Sequence, residues 1–260
     1  MTSSALFHAS ENGTWMPTDA ARGPWTPDAL HGGPVAALLA HAALPLLDDL
    51  QPVRLTVEIL RPVPVAPLEV VAEATRPGKR VRGLEVRMRA DGKEVATASV
   101  VAIRTADVPV PDQRAVAPPP GPEQGSPPNF TSGGTYEAFH NTGVEHRFVA
   151  GVFEVPGPAT DWIRLRLPLV EGEAPHPLER TAAAADFGNG ISRIVDFESL
   201  LFINPDLTIY LHRLPVGEWV CLDAVSRIEA NGIGMAASEL YDENGPIGKS
   251  IQSLVIDRRS

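Results

Sequence analysis

The sequence contains one cysteine, Cys221, so no intrachain disulfide can form and stability must come from a packed core. It carries no basic excess. The net charge is -10, which argues against general nucleic-acid binding, since that needs a basic footprint. It has no apolar run long enough to span a bilayer. The longest, Pro34 to Leu47, is interrupted by His41, and a spanning helix takes ~20 residues. Residues Met1 to Asn12 lack the basic start and apolar run of a secretory signal. These absences lead us to expect a soluble, cytoplasmic protein with no membrane span and no nucleic-acid partner. There is no Gly-x-Ser-x-Gly nucleophile elbow, no P-loop and no dinucleotide fingerprint. The seven histidines show no metal-ligand spacing, so neither metal nor cofactor is expected. Cys221 lies beside Trp219 and Val220 and reads as a buried small hydrophobe, not a nucleophile.

Hydrophobic residues make up 43% and charged residues 21%, which suits a globular chain with a sizeable core. The length of 260 fits one large domain or two small ones. Composition shifts sharply from Val108 to Pro128, where proline recurs too often for helix or central strand. That stretch reads as a linker or an extended surface crossing. The chain therefore divides into residues 1–107, a Pro-rich segment 108–130 and residues 131–260.

In the first part, His31-Gly32-Gly33-Pro34 opens a run of alanines and leucines that predicts a helix, ended or kinked at Pro45. Strand-like runs follow at Val53–Leu60, Leu68–Thr75, Gly83–Arg89 and Val95–Arg104, with a hairpin turn at Asp91-Gly92. The second part is read in the same order. Ile163–Val170 reads as a strand. The Gly-rich turn Asp186 to Gly190 precedes a run from Ile191 to Phe202 whose apolar spacing predicts a helix. Strands are then expected at Leu207–Leu211, Trp219–Val225, Gly234–Tyr241 and Gly248–Ile256, with a turn at Asn244-Gly245.

The parts also match residue by residue. Arg54-Leu55-Thr56-Val57 lines up with Asp206-Leu207-Thr208-Ile209, and Arg61 with Arg213. Gly83 lines up with Gly234 and Gly92 with Gly245. A helix on a curled antiparallel sheet buries its apolar face, and pairing with a second copy covers the sheet's edges. The repeat predicts one pseudo-symmetric body.

A Gly-rich turn, a long helix and four antiparallel strands, twice over, resemble the double-hotdog acyl-CoA thioesterase II family. The stretch from Asp206 to Arg213, then Gly217-Glu218-Trp219 and Ile251-Gln252-Ser253, carries the resemblance best. It implies an α+β fold, a tandem double hotdog with each half a long helix wrapped by an antiparallel sheet. It implies hydrolysis of a fatty acyl-CoA to free fatty acid and coenzyme A, with the acyl chain in an apolar tunnel between helix and sheet. Further association into a homo-oligomer is common in such a family. The resemblance places catalytic roles on Asp206 and Gln252. The family's threonine falls on Ser226 or Arg227, one residue apart in register. Trp25 and His31-Gly32-Gly33-Pro34 look like the segment that opens the family's first helix.

In that chemistry Asp206 would act as general base on a water, and Gln252 and Ser226 would orient it. The carbonyl oxygen would lie at the helix N-terminus at Gly32-Gly33, where unpaired N–H groups favour negative charge. His31, Gly32, Gly33 and Arg227 are the candidate substrate-binding residues. Arg76, Lys79, Arg80, Arg82 and Arg213 are candidates for the coenzyme A anion or for solvated turns. Plainer readings stand beside these. Asp206 could only start a strand after Asn204-Pro205. Gln252 could face outward. His31 could simply pack on Trp25. Asp186 fits an N-terminal cap for the second helix. Two rivals remain: a non-catalytic acyl-CoA-binding double hotdog, and an enoyl-CoA hydratase. The hydratase would need a His–Asp pair at the pocket, and none is evident in the sequence.

Overall fold

The computed structural model describes residues 3–111, 116–129 and 136–259. Two short strands, β1 (Phe7–Ala9) and β2 (Trp15–Pro17), precede helix α1 (Gly32–Ala43). Then come β3 (Leu50–Ile59), β4 (Leu68–Arg76), β5 (Val81–Ala90) and β6 (Lys93–Arg104). β7 (Val144–Ala150) and β8 (Ala159–Leu165) lead into helices α2 (Pro177–Ala185) and α3 (Gly188–Ile191). The chain ends through β9 (Leu200–Ile203), β10 (Asp206–Leu211), β11 (Val220–Ile228), β12 (Ile233–Asp242) and β13 (Gly245–Arg258).

All these strands join one sheet, ordered β1-β2-β4-β5-β6-β3-β10-β13-β12-β11-β8-β7, with β9 paired to β13. The middle eight strands are a palindrome of connectivity: β4-β5-β6-β3 is mirrored by β11-β12-β13-β10. At the centre β3 and β10 run antiparallel, with Thr56 opposite Thr208 and their hydroxyls 3.3 Å apart. These are the residues that the internal sequence match equates.

Helix α1 lies at the heart of the core. His31 is its N-cap, and Pro34 falls in the first turn, where a missing N–H costs nothing. Valine, leucine and alanine are buried on every side of it, as befits a helix with no solvent face. It packs against the sheet and against α2. The approach to α2 is close: a Cβ on Gly33 would lie 2.5 Å from Ala183 O.

The second part departs from expectation. No helix runs from Ile191 to Phe202. The helix comes earlier, as α2, begun by Pro177 and by a capping box in which Glu179 accepts from His176 N at 2.8 Å. Gly188, Asn189 and Gly190 are poor helix formers and reduce α3 to one turn. Ile191 is buried but Ile194 is 43% exposed, so the apolar spacing beyond Ile191 does not mark a single helical face. Asp186 consequently caps the C-terminus of α2 and not the N-terminus of a later helix. The strand expected at Ile163–Val170 lies at Ala159–Leu165.

Of the Pro-rich segment, residues 112–115 and 130 lie outside the described residues. The rest of it crosses the surface and is pinned there. Ser126 pairs with Phe148, and Trp162 Nε1 donates to Pro120 O at 2.7 Å. Among the described residues no helix is long and apolar enough to cross a membrane.

Candidate active site

A cavity of about 840 Å³ opens between the start of α1, the α2–α3 junction and the segment before β10. Its walls are mainly apolar, and a few polar groups converge on it: His31, Asp186, Asn189 and Asn204. That combination is the usual make-up of a small-molecule site.

Asp186 is the hub. Its Oδ1 accepts from Asn204 Nδ2 at 2.9 Å and from Gln252 Nε2 at 3.4 Å. Its Oδ2 lies 2.8 Å from His31 Nδ1. The carboxylate presses against the first residue of α1, since a Cβ on Gly32 would stand 2.6 Å from Oδ1. An anion at a helix N-terminus is favourably placed. Gln252 reaches the same point from β13. Its Nε2 also donates to Asp186 O at 3.2 Å, and its Oε1 accepts from Asn189 N at 3.1 Å. Asn189 Nδ2 in turn donates to Phe202 O at 3.3 Å.

Nδ1 of His31 is also 3.1 Å from Gly33 N, as an N-cap acceptor. It cannot serve both neighbours at once. As an N–H it would donate to Asp186, and as a bare nitrogen it would accept from Gly33 N. The pocket thus holds the His–Asp pair that was not evident in the sequence.

The other expected residues fall in different places. Asp206 does not meet Gln252. Along β10, Leu207, Ile209 and Leu211 face the core, so by alternation Asp206 faces outward. Its Oδ1 accepts from Ser253 N at 2.7 Å, on the face opposite Gln252. Ser226 faces inward on β11, in one row across the sheet with Ala236 and Gln252. Its hydroxyl is 2.8 Å from that of Ser192, which donates to Gly188 O, so it braces α3. Arg227 is exposed on the outer face and does not line the cavity. His31 and Gly32 line it; Gly33 is instead packed against Ala183 and Phe139.

Arg213 forms a bidentate pair with Asp242, a fully buried carboxylate that also accepts from Val216 N and Asn244 N. Burial alone would raise the Asp242 carboxyl, but Arg213 and those N–H groups outweigh it and hold it below the usual range. Arg213 is therefore structural. Arg82 is tied to Asp48 and Leu46 O. The arginines that do border the cavity are Arg61 and Arg259.

A second imidazole–carboxylate pair lies deeper. His146 Nδ1 is 2.5 Å from Asp161 Oδ2, and Asp161 Oδ1 accepts from Arg147 N at 3.0 Å. Burial pushes the Asp161 carboxyl up against the pull of those partners. His140 stands nearby. Burial, aided by His31 and His146, pushes it down to about 4. Cys221 is buried in β11, and burial drives its thiol up, away from reactivity. Among the described residues no group of three or more His, Cys, Asp or Glu side chains is arranged to hold a metal ion.

The family profile "Acyl-CoA thioesterase C-terminal domain" matches residues 111–256, more than half of the chain, and "Acyl-CoA thioesterase N-terminal domain" matches residues 21–103. The chain belongs to the acyl-CoA thioesterase family. No curated protein matches this thioesterase-family chain in sequence. Solved structures match its fold. One is a protein of Thermobifida fusca YX provisionally assigned as a thioesterase II. It is 18% identical, with 98% of this chain and 96% of that one covered, at a TM-score of 0.76. A hot dog fold protein of unknown function from Alicyclobacillus acidocaldarius gives 18%, 95%, 93% and 0.74. The acyl-CoA thioesterase II TesB2 of Mycobacterium marinum gives 17%, 98%, 96% and 0.69. At such identities the likeness is one of fold, and the fold is a hotdog.

Proposed function

We propose that this family member is an active acyl-CoA thioesterase and that Asp186, fixed by Gln252, holds the attacking water. The observation that carries the reading is that Asp186 lines the cavity while the buried Gln252 amide, behind the lining, donates to its carboxylate. Water oxygen bonds to the thioester carbonyl carbon, and its proton passes to Asp186. The carbon–sulfur bond then breaks, and coenzyme A leaves as the thiolate. Gln252 can donate and accept but cannot serve as a base, so its part is to fix Asp186, which faces the water. The first turn of α1, where Gly32 borders the cavity, offers the positive end of a helix to the developing oxyanion.

The further readings are ours as well. The body is a tandem double hotdog, with 1–107 and 131–260 as its halves. The palindromic strand order and the Thr56–Thr208 centre support this. The substrate is a coenzyme A thioester whose anionic end meets Arg61 and Arg259, and its acyl group enters the apolar cavity. Neither Asp206 nor Arg227 takes part, and Ser226 acts only through α3.

One observation favours a second reading. The His31–Asp186 pair is the acid–base device that hydration of an enoyl-CoA would need, with water oxygen adding at Cβ and a proton at Cα. Thiol release and loss of enoyl absorbance, followed on the same preparation, separate the two. Thiol release from saturated acyl-CoAs supports the thioesterase. Hydration without thiol release replaces it with the hydratase, and tight binding without either leaves the binding module.

A further inference from the structure

This chain is poor in aromatic residues: four tryptophans, three tyrosines and eight phenylalanines in 260 positions. Yet Trp25, Tyr136, Phe153, Phe187, Phe197 and Phe202 all border the one cavity beside Asp186. They are not scattered along its wall. Trp25 meets Phe202 edge-on at 5.1 Å and Phe197 at 5.5 Å, Phe197 meets Phe202 at 4.8 Å, and Phe153 meets Phe197 at 5.8 Å. These separations and tilts are those of attractive aromatic pairs.

The cluster is also held in place. The buried Arg193 guanidinium sits over Phe153 and Phe197 at 4.9 and 5.3 Å and bonds the carbonyls of Phe153 and Glu154. Arg259 lies over Trp25 at 5.7 Å and donates to Phe197 O. The wall adjoins the reacting groups. Phe202 O takes the Asn189 amide, Asn204 follows two residues later, and Phe187 is next to Asp186.

Aliphatic side chains such as Leu30, Val35, Ile59 and Val63 line the rest of the cavity, so the rings are gathered on the side towards Trp25 and Phe202. A fixed wall of ring faces and edges matches a ring, because offset and edge-to-face contacts gain beyond simple area burial. A wall that is already ordered also loses little freedom when it binds.

We propose that the preferred acyl group is aromatic, an arylacyl thioester whose ring packs on Trp25, Phe197 and Phe202 next to the thioester carbon. This rests on the thioesterase reading above. The test compares thiol release from phenylacetyl-CoA, octanoyl-CoA and cyclohexylacetyl-CoA, which share a carbon count but differ in flatness and aromaticity. The wild type is expected to show kcat/KM at least tenfold higher for phenylacetyl-CoA than for either of the others. Trp25→Leu and Phe202→Leu should each bring that ratio several-fold closer to one. The non-hydrolysable thioether analogues of the three are titrated in parallel. An aryl preference in their binding with no thiol release would retain this inference and overturn the thioesterase reading. Release or binding that favours the octanoyl or cyclohexylacetyl form, or treats all three alike, would overturn the inference, whatever becomes of hydrolysis.

Discussion

The first residue of α1, Gly32, has room for no side chain because the Asp186 carboxylate occupies the place: a Cβ there would stand 2.6 Å from Oδ1. Asp186 is fixed by Asn204, Gln252 and His31 and cannot simply swing aside. Gly32→Ala should therefore shift the carboxylate and cut kcat/KM by about 100-fold. Alanine is the better helix former by about 1 kcal/mol, so the thermal midpoint should change little. A large fall in activity beside a nearly unchanged midpoint is the expected pattern.

Arg213 should prove to be a stability residue and not a coenzyme A ligand. Asp242 is fully buried, and removing its guanidinium partner strands a carboxylate. Arg213→Gln should cost about 3 kcal/mol in denaturant unfolding, the low end for broken buried pairs, since Arg213 is itself a third exposed. Affinity for an acyl-CoA, measured where the variant is folded, should be unchanged. Arg61→Gln should show the reverse pattern.

Two histidines should tie stability to pH with opposite signs. Glu179 bonds the His41 ring at 2.8 Å and raises its pKa above 6.5 against the effect of burial. His41 therefore contributes stability that is fully present below pH 6.5 and fades as pH rises through its raised value. His140 is pushed down to about 4, so the unfolded chain takes up its proton first. Its contribution is lost as pH falls from 6.5 towards 4, on the order of 3 kcal/mol in full. Thermal midpoints across pH 4 to 9 should show His41→Gln converging on the wild type at high pH. His140→Asn should lose less stability than the wild type on acidification.

Much of the fold is legible in the sequence because strand alternation and turn residues are local signals. The eight strands β3–β6 and β10–β13 fall close to where period-2 patterning places them. Thr56 and Thr208, which the internal match equates, face one another across β3 and β10. The helix of the second part is misplaced because its alanine-rich run, Pro177 to Ala185, has Leu178 as its single large apolar residue. Its start signal, His176-Pro177 with Glu179, lies before the stretch with the stronger hydrophobic spacing. The site is harder to read for a related reason. Gln252 is legible from the last strand, but its partner lies 66 residues away at a helix end, and only the tertiary fold joins them. Asp206 is attractive in sequence because it opens a strand opposite an arginine in the repeat. Alternation along β10 could have placed it outward, since Leu207, Ile209 and Leu211 claim the inner face. The His31–Asp186 pair joins residues far apart in the sequence, so no local pattern announces it.

The proposed chemistry depends on which aspartate serves the cavity. The most direct measurement is thiol release from acyl-CoA by Asp186→Asn and Asp206→Asn, side by side with the wild type. Both substitutions keep the size of the side chain. We predict that Asp186→Asn loses about 10²–10⁴ in kcat, and that Asp206→Asn stays within about threefold of the wild type, as surface positions usually do. Full turnover by Asp186→Asn, or its loss in a folded Asp206→Asn, would contradict the account.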